Sequence, residues 1–145
     1  MSESAAVIAE IATDTFEFAL YFWPISLGML VLGLVALGAA WHSRNQSLRK
    51  RPLVFLIPYG MPLVILLIGT LLRYDGPPHP NWREPPAWRG WVLLASLVLS
   101  LVFVVRGVVV MRGARLRSAA GLVPALWLAV CTYFPCGFAI AGVGP

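Results

Sequence analysis

The sequence predicts an all-α polytopic membrane protein: a bundle of four transmembrane helices with both termini outside the cytoplasm, plus a short amphipathic N-terminal helix. Of its 145 residues, 59% are hydrophobic and only 12% are charged, and the mean hydropathy is +0.81. A soluble chain carries about a quarter charged residues. In addition, the apolar residues fall into four long runs, and the bases are concentrated between particular runs.

The N-terminal arm, residues 1–17, contains four acids and no base: Glu3, Glu10, Asp14 and Glu17. Their spacings of 7, 4 and 3 place them on one side of a helix, which predicts an amphipathic helix with an acidic stripe. Anionic lipid repels such a stripe, so one interpretation is docking on a basic or donor-rich protein surface. The alternative is a solvated arm whose acids help the N-terminus to cross outward. Without bases before the apolar run, we expect no cleaved signal peptide.

Four apolar runs are long enough to cross a hydrocarbon core of about 30 Å as helices. They are residues 18–41, 53–72, 91–111 and 119–141. The turns after the first and third runs hold four and three bases and no acid, whereas the arm and residues 73–90 together hold three bases and six acids. The distribution of basic residues predicts that both basic turns are cytoplasmic. The segments between runs are too short for another domain, so residues 1–145 are expected to form one transmembrane domain.

Prolines in the second and fourth runs are expected to bend their helices. Pro58 and Pro62 lie one turn apart in the second run, and Pro135 lies in the fourth. An interior proline removes a backbone hydrogen bond and bends the helix. Transporters use broken helices to hold ions, but the second run contains no acid that would complete a cation site, so packing kinks are favoured.

Arg106 is the only charged residue well inside a run. Its long side chain is able to reach the headgroups from that depth, which is the favoured interpretation. The alternative is a buried ion pair, for which another subunit or a lipid phosphate would supply the partner.

Small residues recur at helical spacing in two runs and predict faces where another helix approaches closely. In the fourth run they are Gly121, Ala125, Ala129, Thr132, Cys136 and Ala139, and in the first run Gly33, Ala36 and Ala40. The sequence leaves open whether these contacts lie within the chain or with another protein.

The loop of residues 73–90 contains five prolines and a short repeat, Trp82-Arg83 and Trp88-Arg89. Tryptophans near the ends of spans typically anchor a protein at the membrane interface. The alternative is a stiff platform for a periplasmic partner, because the prolines lower the entropy cost of ordering the loop.

No catalytic, cofactor-binding or metal-binding motif is recognisable. Cys131 and Cys136 are five residues apart and are expected on different sides of a helix. The favoured hypothesis is therefore a non-catalytic accessory subunit of a larger membrane complex, expected in a bacterial inner membrane. Its expected partners are other membrane subunits and the lipid bilayer, not nucleic acid.

Two alternatives stay open at this point. One is a homo-oligomeric channel or membrane-permeabilising protein, with Ser96 and Ser100 as the best candidates for a wetted face. The other is a quinone-reactive or other membrane enzyme unit completed by another chain, with Arg106, Tyr59 and His42 as the plausible members.

Overall fold

The computed structural model of the protein describes residues 3–42, 53–73, 87–111 and 115–141. These residues form five α-helices: α1 (Glu3–Tyr21), α2 (Trp23–His42), α3 (Leu53–Leu71), α4 (Ala87–Val110) and α5 (Arg115–Ala141). No strand occurs within the described ranges. The predicted all-helical fold is confirmed.

Two helices are long and apolar enough to cross a membrane individually, namely Ala87–Val110 and Ser118–Ala141. A third candidate consists of α1 and α2 taken together, with a bend of 96° between them. The stretch Leu56–Leu71 of α3 is apolar but shorter. The described residues thus contain two candidate spans, or three if the bent pair is one span, in agreement with a membrane protein.

The predicted first span, residues 18–41, is not a single helix. The chain bends at Phe22, and residues 18–21 continue α1 rather than belonging to α2. The amides of Ile25 and Ser26 both donate to the carbonyl oxygen of Phe22 at 3.0 Å, which starts the new helix. Pro24 has no amide hydrogen to donate to the carbonyl oxygen of Leu20, and it lies in the first turn of α2, where proline is common. The arm helix is correspondingly longer than residues 1–17.

The other predicted boundaries differ by a few residues. The helix predicted for residues 91–111 begins at Ala87, so Trp88 and Arg89 lie in the first turn of α4 and not in a loop. The helix predicted for residues 119–141 begins at Arg115. Hydropathy marks only the apolar part of a helix, whereas backbone hydrogen bonds continue through the polar residues that flank it.

The last helix, α5, is the centre of the bundle, because all four other helices pack on it. In addition, α3 packs on α4, and α1 packs on α3. Buried residues from four helices form the core: Ile11, Ile65, Leu93, Ala129, Cys136 and Ile140. The side chain of Ile11 anchors α1 in this core.

Candidate functional site

The small-residue stripe of α5 lies inside the chain. Gly121, Ala125, Ala129, Thr132 and Cys136 are buried, and Ala139 is partly buried. A Cβ built on Gly69 of α3 would lie 2.4 Å from the Cys136 sulfur and 2.6 Å from its Cβ. The two backbones therefore approach as closely as a glycine permits, which is how small residues stabilise packed membrane helices.

The two cysteines of α5 are both buried and both free. The Cys136 thiol donates to the carbonyl oxygen of Ile65 at 3.6 Å. This weak bond adds to the close contact between α3 and α5. No disulfide joins Cys131 to Cys136.

A second close contact joins α2, α3 and α5. A Cβ on Gly33 of α2 would lie 3.4 Å from Cγ of Pro124 and 3.9 Å from the Tyr59 hydroxyl oxygen. That hydroxyl donates to the carbonyl oxygen of Gly121 at 2.7 Å. Pro124 has no amide hydrogen to donate to the carbonyl oxygen of Ala120, so the Tyr59 bond to Gly121 lies next to the break in the backbone ladder of α5 and does not replace the missing bond. Pro124 was not among the prolines predicted to bend a helix.

Of the other two small residues of α2, the structure describes the side chain of Ala36 but not that of Ala40. Ala36 is buried. The side chain of Ala40 lies outside the described part of the chain.

The bend between α1 and α2 is held by a short hydrogen-bond chain to α5. The Ser26 hydroxyl donates to the carbonyl oxygen of Ala19 at 2.7 Å, and Trp127 Nε1 donates to the Ser26 hydroxyl oxygen at 3.1 Å. The Trp127 ring meets Phe22 edge-on, with 6.3 Å between centroids, while Phe18 stacks on Phe134 at 5.1 Å. We call the bend at Phe22, between α1 and α2, the elbow.

Among the described residues, Glu10 of the acidic stripe forms an ion pair with Arg73. Glu10 Oε2 accepts from Arg73 Nη1 at 2.7 Å. Asp14 is partly buried and Glu17 is exposed, whereas the side chain of Glu3 lies outside the described residues. The helix is thus packed on its own bundle by Ile11 and linked to Arg73 by Glu10.

At the same end of the bundle, Arg89 lies beside the end of α3. Its Nη1 donates to the carbonyl oxygen of Leu72 at 3.3 Å, where a cation complements the helix dipole. The guanidinium carbon is 5.7 Å from the ring centroid of Trp88, which is itself exposed. The buried Nε of Arg89 has no hydrogen-bond partner. Trp82 and Arg83 lie outside the described residues.

The hydroxyls considered for a wetted face point into the bundle. Ser96 and Ser100 are buried and donate to the carbonyl oxygens of Leu93 and Ser96, at 2.6 and 3.0 Å. Arg106 is exposed on α4. The arginine and the two serines therefore lie on different sides of the same helix.

The three prolines predicted as kinks all lie within continuous helices. Pro58 is buried and Pro62 partly buried in α3, which is helical from Leu53 to Leu71. Pro135 is buried in α5. None of the three ends its helix.

Among the residues that the structure describes, no group of three or more histidine, cysteine or acidic side chains could hold a metal ion.

No protein family matches the chain, and no solved structure matches it. Over 109 aligned residues the chain is 28% identical to adhesion G protein-coupled receptor F5 of Mus musculus, and it is equally similar to that of Rattus norvegicus. Each alignment covers 72% of this chain but only 8% of the receptor. The chain thus resembles a small part of much longer proteins.

Proposed function

We propose that the chain is a non-catalytic accessory subunit of a larger membrane complex, in which it scaffolds or positions a catalytic or transport partner. The observation that supports this most directly is the closed packing around α5. At Gly69 the neighbouring helix leaves no room for a single methyl group. A bundle closed in this way offers its outer surfaces, rather than its interior, for function.

The bonding of the buried hydroxyls also supports the accessory-subunit proposal. Ser96, Ser100 and Thr132 each donate to a carbonyl oxygen of their own helix. Hydroxyls that are engaged in this way serve helix packing and have no free hydrogen to offer a passing ion or substrate. This weakens the channel alternative, for which Ser96 and Ser100 were the best lining residues.

The quinone-reactive alternative loses part of its support for a similar reason. The hydroxyl hydrogen of Tyr59 is bonded to the carbonyl oxygen of Gly121. Arg106 is exposed on α4 and would need a second chain to enclose it. The described contacts therefore favour the accessory-subunit proposal over the quinone-reactive alternative.

In the proposed arrangement the chain crosses a bacterial inner membrane four times, with both termini outside the cytoplasm. The basic turns between α2 and α3 and between α4 and α5 would lie in the cytoplasm, as the distribution of arginine and lysine favours. The end of the bundle with Arg73 and Arg89 would then face outward, and the exposed Trp88 and Trp91 would lie at the outer interface.

The partner surface that we propose is the part of the acidic stripe that the chain leaves accessible. Glu10 is already bonded to Arg73, whereas Glu17 is exposed further along the same side of α1. Carboxylates at a helix surface fit a partner that presents arginine or lysine, because charge complementarity sets the orientation of docking.

The experiment is purification of the tagged chain from its native membranes under gentle solubilisation, with stoichiometry measured by mass spectrometry. We expect at least one membrane protein at a fixed ratio to the chain, and a weaker association for Glu17→Gln. The matched control is Thr13→Gln, which changes another exposed residue of the same helix. If the chain is recovered alone, the accessory-subunit proposal is wrong. If Glu17→Gln and Thr13→Gln behave identically, the proposed docking surface is wrong.

Channel activity is tested separately by reconstituting the purified chain in sealed liposomes. The accessory-subunit proposal expects no flux above that of protein-free vesicles. Ion flux that scales with the amount of protein would favour the channel alternative instead.

A further inference from the structure

The first helix carries its acidic stripe along the side of a candidate span. Ile11 belongs to the core cluster with Ile140, and Phe18 stacks on Phe134 at 5.1 Å. Because Phe134 precedes Ile140 on α5, α1 runs alongside the C-terminal half of that helix in the opposite direction. The C-terminal part of the acidic stripe therefore lies beside the span Ser118–Ala141 and not beyond its end.

The level of Glu17 follows from the ring contact of its neighbour Phe18. The 24 residues of Ser118–Ala141 form a helix of about 36 Å, which extends about 3 Å at each end beyond a hydrocarbon core of about 30 Å. Phe134 lies about 10 Å from Ala141 and hence about 7 Å inside the hydrocarbon. The Cα of Glu17 is close to that depth, because one residue advances α1 by only about 1.5 Å.

The surface around Glu17 combines a carboxylate with large apolar side chains. Phe16, Leu20 and Tyr21 are 64%, 53% and 82% exposed, and the last two lie three and four residues after Glu17 on the same side of the helix. Acyl chains would leave the carboxylate without a partner, and water would leave the apolar side chains uncovered. Glutamate is also shorter than lysine and arginine, whose long stems reach the headgroups. The surface therefore fits another protein better than lipid or water.

Two bases of the same chain lie at this end of the bundle, and both hold other groups. Arg73 pairs with Glu10, and Arg89 donates to the carbonyl oxygen of Leu72. Both lie at the end of the bundle, where α3 ends and α4 begins, whereas Glu17 lies deeper along α5. A base for Glu17 is therefore expected from outside the described part of this chain.

A second copy of the chain does not bring its membrane-embedded base to the right level. Leu93 lies 3.9 Å from an ideal Cβ on Gly137, so α4 and α5 share a level there. The exposed Arg106 lies about 20 Å farther along α4, whereas Phe134 is only about 4.5 Å from Gly137 along α5. In two parallel copies, the levels of Arg106 and Glu17 thus differ by about 15 Å.

We infer that Glu17 docks an arginine or lysine in the membrane-embedded part of a transmembrane helix that belongs to another protein. The base lies about 7 Å inside the hydrocarbon, and apolar side chains of the partner cover Phe16, Leu20 and Tyr21. This inference rests on the accessory-subunit proposal and adds the depth and the chemistry of the contact. Opposite charges attract more strongly in hydrocarbon than in water, and an uncompensated charge there is costly. The contact therefore selects a helix with a base at this level.

The test uses synthetic transmembrane peptides as probes and the full purified chain in phosphatidylcholine vesicles. One peptide carries an arginine about 7 Å inside each hydrocarbon boundary, so that either orientation presents one at the level of Glu17. A second peptide carries glutamine at these positions, and a third carries arginine only at the headgroups. Each peptide lacks tryptophan and carries a dansyl acceptor, so energy transfer from the six tryptophans of the chain measures binding.

We expect the native chain to bind the arginine peptide roughly tenfold more tightly than the glutamine peptide, which corresponds to about 1.4 kcal/mol. Glu17→Gln should remove this preference, because it removes the charge and keeps the size of the side chain. Glu17→Asp should keep part of the preference, and the matched control Thr13→Gln should keep all of it. Circular dichroism of each variant verifies that its helices are intact.

Three results would overturn the inference. Equal binding of the arginine and glutamine peptides, or an unchanged preference in Glu17→Gln, would show that Glu17 recognises no base at this depth. Tighter binding of the peptide with arginine at the headgroups would place the contact outside the hydrocarbon. Cross-linking of the native chain, but not of Glu17→Gln, into dimers would assign the face to a second copy. None of these results contradicts a partner recovered from native membranes, so this inference and the accessory-subunit proposal fail separately.

Discussion

The close contact between α3 and α5 at Gly69 makes Gly69→Ala an informative substitution. The new Cβ would lie 2.4 Å from the Cys136 sulfur, 2.6 Å from its Cβ and 3.3 Å from its Cα. Ordinary carbon–carbon contacts are about 3.5–4.0 Å, so α3 and α5 must separate by roughly 1 Å. Rotating the thiol moves only the sulfur, and so it leaves the clash with Cβ in place.

Overpacking of this kind costs about 1–3 kcal/mol. Replacing a helical glycine by alanine returns up to about 1 kcal/mol through helix propensity. With the full gain in helix propensity, we therefore expect a net loss in the free energy of unfolding of up to about 2 kcal/mol. The matched control is Gly60→Ala in the same helix, which has nothing within 4 Å of its Cβ and should be neutral or slightly stabilised.

The assay is reversible unfolding in mixed micelles, followed by far-ultraviolet circular dichroism as the denaturing detergent is increased. A second substitution at Cys136 separates the clash with the sulfur from the clash with the Cβ. Cys136→Ala removes the sulfur but keeps the Cβ, so it should relieve the effect of Gly69→Ala only partly, whereas Cys136→Gly should relieve most of it. Equal stability of Gly69→Ala and Gly60→Ala, or additive effects at positions 69 and 136, would refute the reasoning.

Three further predictions concern single hydrogen bonds between helices, and all use the same unfolding assay. Tyr59→Phe removes the bond to α5 and should cost about 0.5–1.5 kcal/mol; an unchanged midpoint would mean that the bond contributes nothing. Ser26→Ala removes two bonds at the elbow and should cost more than Trp127→Phe, which removes one of them but also trims the ring; the opposite order would show that ring packing dominates. The pair of Glu10 and Arg73, which are 50% and 29% exposed, should show a coupling below about 1 kcal/mol in a double-mutant cycle, and added salt should reduce it.

The helical architecture was predictable because apolar runs of this length have few other structures open to them. The small-residue stripe of α5 was also visible, since its spacing follows the helical repeat. The sequence did not say which helix would cover the stripe, because that depends on how the other helices are arranged. In the structure the stripe is buried, and Cys136 lies against Gly69 of α3.

The elbow was missed although a signal for it was present. The run of residues 18–41 has no charge, which favours a single span, but Pro24 lies near its start. Proline is common in the first turn of a helix, and this position would have suggested a new helix start. The bond of Trp127 to Ser26 and that of Tyr59 to α5 join residues 101 and 62 positions apart. No local pattern indicates such pairs.

The position of α5 has a consequence for how the molecule is made. It is the last of the five helices to leave the ribosome, yet every other helix packs on it. Until it is inserted, the earlier helices lack their common neighbour, and the buried faces of α1 and α3 stay open to lipid or to other proteins. A chain interrupted before Arg115 would therefore lack the helix around which the others assemble, and cellular quality control should remove it rapidly.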